Sequence, residues 1–106
     1  MPKIIIRTSE GSDLRDDIIR AVGDGELPTW QIRTGTNKID YLTHTGQWAD
    51  RALLSFDVYD DKLEIVAVKW KEQNEDAAAK KYYVGRFTEM LLIHFSDYFT
   101  NFAVHK

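Results

Sequence analysis

Residues 76–102 read DAAAKKYYVGRFTEMLLIHFSDYFTNF, and the rest of the chain has to be arranged around them. Tyr83, Val84, Phe87, Leu91, Phe95, Tyr98 and Phe102 recur at steps of three and four after the first pair. That period stacks side chains along one face of an α-helix. Met90, Leu92 and Phe99 widen the stripe, while Arg86, Glu89, Ser96, Asp97 and Thr100 fall roughly opposite. Ala77, Ala78 and Ala79 add intrinsic propensity. Asn74, Glu75 and Asp76 suit the cap and the positive end of the helix dipole. Gly85 is the weak point, costing about 1 kcal/mol against alanine. The spacing predicts one long helix. Alone in water such a helix is not stable. Each large side chain it buries contributes about 1.5–3 kcal/mol, so a matching apolar surface must come from elsewhere in the chain.

That surface is legible in residues 51–70, where two strands, Arg51–Tyr59 and Lys62–Trp70, flank Asp60-Asp61. With those two residues as the turn, Val58 faces Leu63, Phe56 faces Ile65 and Leu54 faces Ala67. The other side pairs Ser55 with Val66 and Leu53 with Val68. Each face is internally consistent, which supports the register. One pair disagrees: Asp57 stands opposite Glu64, and a looser turn or a bulge would relieve the like charges. The helical stripe then lies on the face of Leu54, Phe56, Val58, Leu63 and Ile65.

Upstream, Lys3–Thr8 is β-branched and apolar without alternation. It reads either as a fifth strand covered on both sides or as a disordered start. Asp13–Val22 forms a short helix, with Leu14, Ile18, Ala21 and Val22 on one face and Gly23 closing it. Asp16 precedes Arg20 by four, the orientation of a helical ion pair. From Leu27 the period changes to two. Trp30 and Ile32 alternate with Gln31 and Arg33, Gly35-Thr36-Asn37 is turn chemistry, and Lys38–Thr43 returns as a strand. Residues 44–49, HTGQWA, connect it onward. The expected architecture is α+β: an antiparallel four-stranded meander, with a fifth strand if the N-terminus joins it. The short and the long helix pack on one face.

At 106 residues, with 43% hydrophobic and 29% charged residues, the chain fits a single folded domain. A net charge of −3 lacks the overall pull that generic phosphate binders use, so nucleic acid is not the expected partner. There are no cysteines, which excludes disulfides and thiolate metal sites. Residues 4–6 are too short an apolar run for a signal core or a membrane span, and the expected address is the cytoplasm.

No catalytic signature, phosphate loop or metal spacing stands out, and neither a cofactor nor a metal is implied. His44 is the best single candidate, lying in a glycine-containing loop with Thr43, Thr45 and Trp48 near it. An imidazole can shuttle protons if a carboxylate such as Asp40 or Asp50 positions it. His94 falls within the apolar stripe, where a core or boundary histidine is the ordinary role, and His105 lies in a frayed tail. The aspartates at 13, 16 and 17 read as a solvated helix start rather than a metal site. Lys69-Trp70-Lys71 with Lys80-Lys81 brings positive charge to an aromatic, a device of single-strand binders, but Glu72, Glu75 and Asp76 follow at once. Trp30, Trp48 and Trp70 are many for so short a chain, and tryptophan is enriched at interfaces.

Three short stretches, LPTW at 27–30, THTGQW at 43–48 and GRFTEMLLIHF at 85–95, together resemble a family of small bacterial proteins of unknown function. The resemblance implies a bacterial domain and assigns no activity. It draws His44, Trp48, Arg86 and His94 together. Two functional expectations follow. In the first, the face of Leu53, Val66, Val68 and Trp70, opposite the long helix, contacts a protein partner or a second copy of the chain. In the second, a small-molecule or peptide pocket, enzymatic or not, is lined by His44, Trp48, Arg51 and Arg86, with arginine holding an anionic group.

Overall fold

In the computed structural model, which describes residues 2–69, 74–99 and 101–105, Asp60 and Asp61 turn the chain tightly. The Tyr59 amide donates to the Lys62 carbonyl at 2.9 Å. The hairpin closed by this turn is the centre of the molecule. Its strands, β4 (Ala52–Val58) and β5 (Lys62–Lys69), pair in the register read from sequence, from Val58 opposite Leu63 to Leu53 opposite Val68. Asp57 does stand opposite Glu64, and the ladder runs past it unbroken. Relief comes instead from two cations. Lys62 lies 2.9 Å and Lys3 3.3 Å from the Glu64 carboxylate. Lys62 first, with Lys3, holds that carboxyl below the usual range.

Around the hairpin the sheet has six strands in the order β2-β3-β4-β5-β1-β6, every neighbouring pair antiparallel. Strands β2 (Trp30–Thr34) and β3 (Asp40–His44) continue the meander on one side. The four-stranded expectation is incomplete on the other. There β1 (Lys3–Arg7) pairs with β5 along its whole length, and β6 (Phe102–His105) pairs with its far edge. The N-terminal segment is thus an inner strand, and Ile4 and Ile6 are fully buried. The expected single helix to Phe102 is also corrected. Helix α2 (Ala77–His94) stops at His94, a 3-10 turn follows at Ser96–Tyr98, and Phe102 and His105 belong to β6. Ser96 and Asp97 are residues whose side chains compete with helical backbone bonding. The strand that follows covers an edge of β1 that would otherwise be unpaired.

Helix α1 (Gly11–Gly23) bridges β1 and β2, and α2 bridges β5 and β6. Both supply one core. Leu14, Ile18, Ala21 and Val22 from α1 meet Tyr83, Val84, Phe87, Met90, Leu91 and Phe95. The sheet contributes Ile4, Ile6, Leu54, Leu63 and Ile65 from a single face. Phe87 lies 6.2 Å from Phe56 and 5.2 Å from Trp30, measured between ring centres. The aromatic stripe therefore rests on the platform expected for it. Leu92 and His94, assigned to that stripe from their spacing, are exposed instead. The expected Asp16–Arg20 pair is replaced as well: Arg20 reaches Asp24 and Glu26, each at 3.2 Å, and Asp16 pairs with Arg15. Among the described residues no helix is long and apolar enough to cross a membrane.

Candidate functional site

His44 is the last residue of β3, not a loop residue as its flanking glycine suggests. Strand pairing places it opposite Trp30, whose ring meets the imidazole edge-on at 4.9 Å. The Nδ1 atom lies 3.0 Å from the Thr45 carbonyl. A carbonyl only accepts, so Nδ1 carries the hydrogen and Nε2 of the neutral ring is the acceptor. Among the described residues no carboxylate partners this histidine. Asp40 accepts from the Thr34 hydroxyl at 2.7 Å, and Asp50 is taken by Arg33 at 3.0 Å. The acid–base arrangement considered from sequence is therefore not assembled.

Beyond His44 the chain makes a 3-10 turn at Gly46–Trp48, entered through Gly46 at φ +67°. This loop is held against α2 by a ladder of rings and cations. The Trp48 and Tyr82 rings stack at 4.3 Å, only 9° from parallel. The Arg51 guanidinium lies 4.4 Å from the Trp48 ring centre, and that of Arg86 lies 5.3 Å from the Tyr82 ring centre. Since each ring gives one face to the other, the cations occupy the outer faces, in the order Arg51, Trp48, Tyr82, Arg86. Each such contact is worth about 0.5–1 kcal/mol at an exposed position. Arg51 also binds Asp76 at 2.9 Å, while Asp76 accepts from the Ala79 amide at 3.0 Å and caps α2. The Ala79 amide first, then Arg51, lowers the Asp76 pKa.

His44 touches the same ladder, its ring 5.3 Å from Tyr82. Four of the sequence candidates, His44, Trp48, Arg51 and Arg86, thus meet at one place, and the fifth, Trp70, lies outside the described residues. Tyr82, which joins them, is missed by a reading that follows the apolar stripe. The signal that points to it is its position four residues before Arg86, the spacing of helical neighbours.

Beside the ladder, α2 and the connection from α1 to β2 enclose a cleft of about 460 Å³. Leu27, Trp30, Met90 and Ile93 form its apolar walls, with Glu26, His44, Arg86, Glu89 and His94 around them. Tyr82 first, and also Glu89, raises the Arg86 pKa, so the guanidinium is a fixed positive charge. Among the described residues no three of His, Asp and Glu converge as metal ligands would.

A second surface lies on the other side of the sheet. An antiparallel sheet with one covered face normally turns polar residues outward. Here Leu53 and Val68 face each other there, Val66 follows along β5, and Ile5 joins from β1. Leu53 is buried yet stands apart from the core cluster, screened by its neighbours on that face. Both helices pack on the opposite side.

Comparison with protein-family models, curated proteins and solved structures yields no match to this chain.

Proposed function

We propose that this domain acts by self-association, two copies packing the Leu53, Val66 and Val68 faces of their sheets together. The observation that carries the reading is the break in alternation at the centre of the sheet. Leu53, Val66, Val68 and Ile5 are turned away from the helices, where polar residues are the rule. Such a face suits a two-fold pairing, in which the same patch serves both partners. Six strands about 4.8 Å apart, four to eight residues long, offer on the order of 500 Å² of flat area. That approaches the roughly 800 Å² of accessible surface that each partner gives to a stable interface. Charge is interleaved on the same face, with Lys3 directly opposite Val66, Glu64 opposite Ile5 and Lys62 paired to Glu64, while Arg33 pairs with Asp50 towards the β2 side. Charges there set register and orientation more than affinity.

Sedimentation velocity over a concentration series tests the reading. The expected result is a dimer that the single substitutions Val66→Asp and Val68→Asp dissociate without altering the circular dichroism spectrum. A wild-type chain that stays monomeric to its solubility limit overturns it.

A further inference from the structure

On the helix side of the sheet, independent of that association, the structure points to a ligand site. We propose that the cleft beside Tyr82 captures the carboxylate end of an N-acylated apolar amino acid, the group that also terminates a peptide chain.

Three features of the cleft converge on that chemistry. The first is a free acceptor. His44 commits Nδ1 to the Thr45 carbonyl at 3.0 Å, which turns Nε2 into the atom left for a ligand N–H. The second is a held cation. Arg86 lies over the Tyr82 ring, its guanidinium carbon 5.3 Å from the ring centre. Its present partner is Glu89 at 3.4 Å, longer than the roughly 2.7–2.9 Å of a strong charged hydrogen bond. A ligand carboxylate that meets the guanidinium fork edge-on replaces that contact with a better one. The third is apolar wall. Leu27, Trp30 and Met90 line the cleft, and Met90 stands one turn along α2 from Arg86, so a ligand side chain held beside that arginine meets apolar surface.

An N-acyl amino acid carries those three complements on adjacent atoms: an amide N–H for His44, a carboxylate for Arg86 and a side chain for the apolar wall at Met90. Glu26 and Glu89 disfavour a second carboxylate on the ligand, so an apolar terminal residue is preferred over an acidic one. The cleft volume of about 460 Å³ lies within the range of small-ligand sites.

Chemical-shift titration of the labelled protein with N-acetyl-leucine, N-acetyl-leucinamide and an acetylated tripeptide ending in leucine tests this. The expected result is saturable shifts at the Trp30 indole and along residues 82–93 with the two acids. The amide binds roughly ten- to a hundred-fold more weakly, the worth of a charged hydrogen bond. Arg86→Gln, on an exposed position, weakens the acids by a similar factor and keeps the wild-type spectrum elsewhere. A tripeptide that binds more tightly than N-acetyl-leucine identifies a chain terminus as the ligand, and equal binding identifies the free acid. Absence of saturable shifts with both acids, an amide that binds as well as the acid, or an Arg86→Gln variant that binds normally overturns the proposal.

Discussion

The hydroxyls of Thr43 and Tyr83 lie 2.9 Å apart, joining β3 to α2 inside the fold. Each has one proton, and the surroundings set their direction. Tyr83 donates to the Trp48 carbonyl, while Thr43 accepts from the Asp50 amide at 2.9 Å. The Thr43 proton is then shared between the Tyr83 oxygen and the Ala52 carbonyl, the latter at 3.3 Å. Asp50 sits at φ +57°, an unfavourable conformation for a non-glycine residue, and Thr43 and Arg33 hold it there. Where the hydroxyls meet, β3 and β4 share only the Leu42–Leu54 register pair, so side chains serve where ladder bonds are few.

Removing one hydroxyl from this network leaves a buried partner unpaired. Tyr83→Phe is expected to cost about 1–3 kcal/mol, and Thr43→Val a similar amount. The double variant should cost less than the two together, because they share one interaction. Urea unfolding of the four proteins measures this, and strict additivity would show that the hydroxyls are not coupled.

Glu64 gives the fold a pH dependence of known sign. Lys62, with Lys3, lowers its pKa in the folded protein, while the unfolded value stays near 4.5. A depressed folded pKa contributes stability that is fully present above the unfolded value and lost as pH falls through the folded one. The stability difference between wild type and Glu64→Gln should therefore shrink as pH drops below about 4.5 and then level off. A difference that does not change across that window refutes the two-lysine clamp.

Phe87 and Leu92 are both apolar residues of α2 within the stretch that decides the fold, yet one is fully buried and the other 51% exposed. Phe87→Ala should cost about 3–5 kcal/mol in unfolding free energy. Leu92→Ala should stay within about 0.5 kcal/mol. Comparable losses at the two positions would mean that the helix presents a different face to the sheet.

Strand β1 lies between β5 and β6, so its backbone is paired on both sides. Amide exchange should find β1 protected to the same degree as β4 and β5. The outward amides of β2, at the other end of the sheet, should exchange faster. A rapidly exchanging β1 would restore the four-stranded meander.

Local pattern carries the hairpin register from Leu53–Val68 to Val58–Leu63, the face of α2 that holds Phe87 and Leu91, and the α1 stripe of Leu14 and Ile18. Each depends on periodicity within one segment or across a two-residue turn, and burial of one face makes a slipped register costly. Nothing local places β6. Phe102 fits the helical period equally well, and only the unpaired edge of β1, a segment from the other end of the chain, gives it a strand to join. The ladder of rings and cations has the same origin. His44, Trp48, Arg51 and Arg86 are legible as candidates one at a time, but Tyr82 stacks on Trp48 only because α2 packs against the turn that follows β3. Periodicity reports which side of an element faces inward; what waits there is settled by contacts between residues distant in sequence.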